Sequence, residues 1–521
     1  MRKRFNTAGP CRDDIHYLIN PLSRLPETQS LIDSQQYFAI YGPRQSGKTT
    51  CLYALMGMLN REATYTALTI DVQVAADCPD EAAAMHRIAN AIYHQAKLYL
   101  HRPEHPPEPD DPAHSFTTLQ DYLSRWAKTN RKPLVLFFDE IDSLGTHLLL
   151  PFLRQLRTGF EARPKKFPHS IVLVGLRDIQ EYQFTEAHIS PSEQEEMLPG
   201  VETPFNICSK SLRIKWFNLN QVGLLLEQHS EETGQVFNED IQYHLYQLTN
   251  GQPWLINALA NILVELSRVN SADPPLYHEI DLNMVKQAKI ELLQHNAIHL
   301  ENLFKKLKEP KFKLIIEAIL TGGIPDFNHF RDALNYAYSF GIVTRHTPIT
   351  FSTPIYQYAF IISMSEPFQW VLPPALTESM QFVRDGNLDP DQLLTAFQQF
   401  YYRHGTQWLS QCPFQQAGCY LLLFAFLLRT LGEQAEFNWH TAMGVGYCSM
   451  HVEFVGQTHL FCMKLSRDQY AREEGLIQLR EQLKQHQLNR AYLLLFDVSH
   501  QNRVYREEII EDNKHMILFG M

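Results

Sequence analysis

The sequence predicts an α/β chain built on a parallel sheet, and three observations predict it. An apolar run from Gln36 ends in the loop Gly42-Pro43-Arg44-Gln45-Ser46-Gly47-Lys48-Thr49, and from Thr49 onward the apolar residues have helical spacing. Further apolar runs recur at Thr64–Val72, Pro133–Phe138 and Ser170–Gly175, with helical stretches between them. The run that begins at Leu134 ends in the pair Asp139-Glu140. Strands alternating with helices in this way give a parallel sheet covered on both faces.

Composition narrows the class. At 521 residues with 45% hydrophobic and 20% charged residues, the chain is long enough for three or four globular domains. A net charge of −11 argues against a basic nucleic-acid footprint over the whole molecule. The eight cysteines form no CxxC pair and no zinc-like cluster, which fits a reducing cytoplasm. The basic start, Met1-Arg-Lys-Arg, is followed by no signal-peptide core, so a cytoplasmic location is expected. The longest apolar run, Cys419 to Leu428, is too short for a bilayer and reads as a buried helix.

Along the chain, the Pro-rich stretch from His101 to Pro112 predicts an exposed loop. The strand signal fades after Asn206, and helices are expected near Gln221–Glu232, Asp240–Leu248 and Pro253–Leu266, as a helical lid. Lys311–Leu320, Asp326–Phe340 and the β-like Gly341–Phe351 have the order of a winged helix. Pro373–Asp391 reads as a linker, before strands near His451–Val455, His459–Leu465 and Ala491–Asp497.

A GxxxxGK[ST] loop wraps phosphates because its backbone N–H groups converge on the oxygens, and glycine removes the Cβ that would block them. Gly42 and Gly47 are those glycines, and Pro43, Arg44, Gln45, Ser46 and Thr50 complete the cradle. Lys48 reaches the β- and γ-phosphates, and the Thr49 hydroxyl is a Mg²⁺ ligand. Asp139 holds Mg²⁺, usually through water, and Glu140 orients the attacking water, the alternative for Glu140 being a surface acid that begins a helix. Arg177, just past the Ser170–Gly175 strand, is placed to sense the third phosphate, or is a solvated loop arginine. Arg154 and Arg157 share a helix face and either serve a neighbouring subunit's site or form a solvated face. Gly251 and Pro253 make a rigid corner that opens a helix and is placed to touch the adenine.

Taken together, these residues resemble the AAA-like branch of the STAND and origin-recognition type ATPases. The opening Phe5-Asn-Thr-Ala-Gly-Pro, the Leu153-Arg-Gln-Leu-Arg helix and Leu248-Thr-Asn-Gly-Gln-Pro-Trp look like a bacterial family of ATP-binding proteins. That family carries an AAA core, a winged helix and a C-terminal PD-(D/E)XK nuclease-like domain. The resemblance implies a core over 1–205, a lid over 206–295, a winged helix over 296–371 and a restriction-endonuclease-like α/β domain over 372–521. It also implies ATP and Mg²⁺ as cofactors.

At the nuclease positions the chain departs from the family. Where the family has carboxylates, this sequence reads Gln416, Ser449 and Cys462, while Lys464 and Gln478 remain. Amide and hydroxyl oxygens are weak substitutes for the charges that hold a divalent metal. A register shift would have to recruit Glu453, Asp468 or Asp497. The candidate recognition helix has Arg331 as its only Lys or Arg, which disfavours DNA, and its stripe of Phe327, Phe330, Leu334 and Tyr338 reads as core. The leading expectation is an ATP-binding, ATP-hydrolysing conformational switch that controls an inactive nuclease-like domain, with a homo-oligomer or a protein partner and no membrane. The alternatives are an ATP-dependent DNA-processing nuclease and an ATP-regulated module that binds nucleic acid or protein.

Overall fold

The computed structural model describes residues 2–110, 118–179, 207–269, 277–295, 309–325, 330–370, 372–373, 379–410, 412, 414–466, 470–497 and 504–521. Two compact units form, one of Met1–Leu292 with Ser339–Gly341 and one of Leu293–Tyr338 with Ile342–Met521.

The first unit begins with α1 (Thr28–Asp33), β1 (Tyr37–Tyr41), α2 (Lys48–Glu62), β2 (Thr66–Asp71), α3 (Glu81–Tyr99) and α4 (Leu119–Thr129). It continues with β3 (Leu134–Asp139), α5 (Gly145–Gly159), β4 (Ser170–Gly175) and β5 (Cys208–Arg213). The sheet order is β2-β3-β4-β1-β5 and every pairing is parallel. Every residue of β3 and β4 is buried, which explains why both read as continuous apolar runs rather than alternating ones. Because β4 lies between β1 and β3, the Gly42–Thr49 loop, Asp139 and Arg177 leave the sheet along one edge. That edge, at the carboxyl ends of parallel strands, is where such sheets take ligands.

β5 is a strand beyond the expected four. Of its sequence, Cys-Ser-Lys-Ser-Leu-Arg, only Leu212 is buried because the strand forms the sheet edge, and the apolar signal is correspondingly absent. The described part of the Pro-rich stretch is tied down rather than freely exposed. Trp126 Nε1 donates to Glu104 O at 3.0 Å, Arg125 pairs with Asp110, and Pro106 is buried.

Helices α6 (Leu219–Thr233), α7 (Glu239–Thr249), α8 (Pro253–Ser267) and α9 (Leu282–His295) follow, the first three close to the expected bounds. Asn218 and Gln221 form a reciprocal capping box on α6. The amino-terminal segment staples these helices to the sheet region. Tyr17 OH donates to Glu232 at 2.6 Å, Trp254 Nε1 donates to Thr7 O at 2.9 Å, and Cys11 N donates to Thr50 Oγ1 at 3.1 Å.

In the second unit, α10 (Pro310–Thr321) and α11 (Phe330–Ser339) are followed by one antiparallel bridge, Val343 to Phe351, where a β-like stretch was expected. Residues 326–329, including Phe327, and Asp468 lie outside the described residues. Tyr338 is buried, whereas Phe330 and Leu334 are only half-buried. Next come α12 (Pro354–Gln369), the short pair β6 (Val383–Arg384) and β7 (Asn387–Leu388), α13 (Pro390–Leu409) and α14 (Gly418–Leu431). α14 is the buried helix expected from its apolar run, and no described helix is long and apolar enough to cross a membrane.

A mixed six-stranded sheet completes the chain: β8 (Ala435–Thr441), β9 (Cys448–Phe454), β10 (Gln457–Ser466), then α15 (Ala471–Gln485), β11 (Arg490–Asp497), β12 (Tyr505–Glu511) and β13 (Lys514–Gly520). The strand order is β12-β13-β11-β10-β9-β8. α14 packs on one face, Phe424 against Phe437 and Tyr420 against Phe496. α15 packs on the other through Leu476, Leu479 and Leu483.

Candidate nucleotide site

The loop after β1 bends at two glycines for different reasons. A Cβ at Gly42 would come within 2.5 Å of Ile214 Cγ2. Gly47 has φ +86°, a left-handed conformation that glycine adopts freely, and Arg24 Nη1 lies 2.8 Å from where its Cβ would be. Gly47 is also the N-cap of α2 and makes no side-chain cap, so the amides of the helix's first turn face the loop. A helix N-terminus with free amides favours an anion.

Lys48 is buried and donates to Gly42 O at 2.9 Å and Pro43 O at 3.1 Å. Burial lowers its pKa, and the carboxylates of Glu140, Asp139 and Asp142 oppose that shift. Thr49 Oγ1 donates to Asp139 Oδ2 at 2.7 Å. Two hard oxygen donors therefore converge from α2 and β3, the ligand type that Mg²⁺ takes. Burial raises the Asp139 pKa, against the Thr49 hydrogen bond and the Lys48 charge. Glu140 is likewise raised by burial, with Lys48 opposing. Its backbone is left-handed at φ +58°, and its N–H donates to the Asp139 carboxylate at 3.0 Å. A non-glycine residue held in this region is strained, a condition that clusters at functional sites.

Arg177 follows the end of β4, and its Nε lies 3.6 Å from Asp142 Oδ1. Arg154 and Arg157 are both exposed on α5. Pro253 begins α8 and is buried, and Gly251 before it has φ +73°. The structure thus brings Lys48, Thr49, Asp139 and Glu140 together, with Arg177 on the neighbouring strand end. Sequence reading missed two participants, Arg24, whose guanidinium also lies 4.9 Å from the Phe217 ring centroid, and Asp142, and it did not foresee that the Thr50 hydroxyl accepts the Cys11 amide. Each looks like an ordinary polar residue until the chain is folded.

In the second unit, Ser449 and Cys462 are direct cross-strand partners, and Lys464 lies two residues further along the same face. Ser449 and Cys462 are buried. Lys464 Nζ donates to Gly446 O at 3.0 Å and pairs with Glu474 at 3.0 Å. Gln416 precedes α14, and its N–H donates to Glu317 of α10. Among the described residues, no three His, Cys, Asp or Glu side chains are arranged to hold a metal ion.

Residues 32–183 match a family model described as an AAA domain. This segment is an AAA-type P-loop domain. The AAA domain accounts for β1 to β4 and the residues gathered at their ends. Solved structures similar to the chain include a Walker-type ATPase of Pyrococcus abyssi, at 14% identity and TM-score 0.45, over 68% of this chain and 99% of that one. The Aeropyrum pernix ORC2 protein, in ADPNP–ADP complexes, is 14% identical with TM-score 0.40, over 65% and 90%. Thermotoga maritima RuvB is 12% identical with TM-score 0.34, over 65% and 93%. No curated protein matches the chain.

Proposed function

We propose that the chain is an ATP-binding and ATP-hydrolysing switch. The observation that carries this reading is the convergence of Lys48, Thr49, Asp139 and Glu140 beside the free amides of α2. The amides from Gln45 to Thr50 and the Lys48 ammonium bind the phosphates, releasing Lys48 from the Gly42 and Pro43 carbonyls. Thr49 and Asp139 would hold Mg²⁺, which would supply positive charge beside the phosphates. Glu140 orients water for attack, and Arg177 stabilises charge on the third phosphate. Arg154 and Arg157, exposed on α5, would serve the site of a second copy in a homo-oligomer.

The switch works through α6–α8. Phe217 N donates to Gly251 O at 2.9 Å, and the amino-terminal segment joins Thr50 of α2 to Trp254 of α8. A nucleotide seated against α2 and Pro253 therefore engages both parts of the unit. Binding shifts a conformational equilibrium only by its difference in affinity for the two states. Residues 372–521, within the second unit, are read as an inactive nuclease-like output domain. The acids required for a metal site are replaced by Ser449 and Cys462, and Lys464 is engaged by Gly446 and Glu474.

Calorimetry and turnover assays test this directly. Lys48→Ala abolishes ATP binding, while Glu140→Gln retains binding and loses turnover by at least about a hundredfold. Equal hydrolysis by Glu140→Gln and the parent refutes the role of Glu140. Scattering profiles that are identical with ADP, a non-hydrolysable ATP analogue and no nucleotide refute the switch.

A further inference from the structure

Asp142 lies on the short turn Ile141–Leu144 that follows Glu140, with its side chain only 12% exposed. Its Oδ2 accepts the Leu176 N–H, and its Oδ1 faces Arg177 Nε at 3.6 Å. One carboxylate thus grips consecutive residues of the chain leaving β4. The fit is tight from the other side as well, since a Cβ at Gly175 would overlap the Asp142 carboxylate. Gly175 O in turn accepts the Gly42 N–H at 3.2 Å, at the entry to the phosphate loop. The exits of β1, β3 and β4 are therefore joined in one chain of contacts, Gly42 to Gly175 to Leu176 to Asp142 to Arg177.

We infer that Asp142 is a positioning residue for Arg177: it fixes the backbone from which the arginine projects and serves as its ionic partner when no third phosphate is present. This inference rests on the proposed ATPase reading. An arginine facing a carboxylate in a partly buried site has a defined resting place, and a γ-phosphate with its greater charge draws it away. The guanidinium then moves between two anions rather than out of solvent, which lowers the cost of ordering it at the moment of reaction.

The test uses the full chain with Asp142→Asn, Asp142→Ala, Arg177→Ala and the Asp142→Ala/Arg177→Ala double variant. ATP turnover, ADP affinity and hydrogen exchange at the Leu176 amide are measured on each. Asp142→Ala is expected to lower kcat on the order of tenfold to a hundredfold, with ADP affinity changed less than about twofold. The double variant should be no slower than the slower single one, because both changes remove the same arm. Asp142→Asn keeps an acceptor for Leu176 and should protect that amide as in the parent, while still losing turnover through the missing charge. Parental kcat in both Asp142 variants, or losses that multiply in the double variant, overturns the inference. If the parent binds no nucleotide, the ATPase reading fails on its own. The exchange arm then decides Asp142 separately: faster exchange at Leu176 in Asp142→Ala supports the bracket, and unchanged exchange removes it.

Discussion

Gly251 shows how much a single position can demand. Its φ of +73° disfavours any L side chain, and a methyl group there would overlap the Phe217 carbonyl oxygen, a backbone atom that cannot rotate away. Gly251→Ala is therefore expected to destabilise the first unit by about 3 kcal/mol or more, read as a lower midpoint in denaturant. His451 makes a different demand. It is buried against His440, with 3.1 Å between their ring nitrogens, and against His486 at 4.3 Å between centroids. Burial first, then its two histidine neighbours, lowers its pKa from 6.5 to about 4. The unfolded chain therefore takes up this proton before the folded one does. Stability is whole above pH about 6.5, falls as pH drops toward about 4, and loses on the order of 3 kcal/mol across that window. His451→Phe should flatten this acid limb in melts that report the second unit. The phosphate loop, Asp139 and Glu140 were legible from the sequence because their chemistry requires fixed spacing. Asp142 and His451 were not, because neither belongs to a motif of fixed spacing, and Leu176, His440 and His486 become their neighbours only through the fold.

Among the elements, those buried on both sides were the easiest to read. β3 and β4 are continuous apolar runs because neither face of them meets water, and α14 is one from Gly418 to Leu427, where every residue is buried. β5 and β12 were unreadable for the converse reason: as sheet edges they carry Lys210, Arg213, Glu507 and Glu511 where a central strand carries valine or leucine. α12 and α13 also escaped, the first because Pro354 and Pro367 punctuate it and the second because Pro390 closes a stretch that reads as linker. The loop between β8 and β9 carries its own prediction. Its Gly446 gives its N–H to Gly322 O at 2.7 Å and its carbonyl to Lys464, while Gly444 N–H bonds to Gly323 O at 3.1 Å. Lys464→Ala should release this loop and speed amide exchange at Gly444 and Gly446. If Lys464 instead serves cleavage, the parent cuts DNA with Mg²⁺ or Mn²⁺ and the variant does not.

At the scale of the whole molecule, the net charge is −11, and some of the charged residues stand in defined ion pairs that add nothing to it. β12 illustrates this. Arg506 bonds to Asp391, Glu507 to Arg472, Glu508 to His515 and Glu511 to Arg480, so each charge on this outer strand is answered from within the same unit. Individually such half-exposed pairs contribute little to stability. Together they occupy the rim of the sheet with groups that a second strand would have to desolvate before it added on. The feature thus limits how the protein can fail. Replacing Arg506, Glu507, Glu508 and Glu511 with threonine should leave the fold in place while lowering the concentration at which the protein stays dispersed, with added material growing from the β12 rim as ordered fibrils.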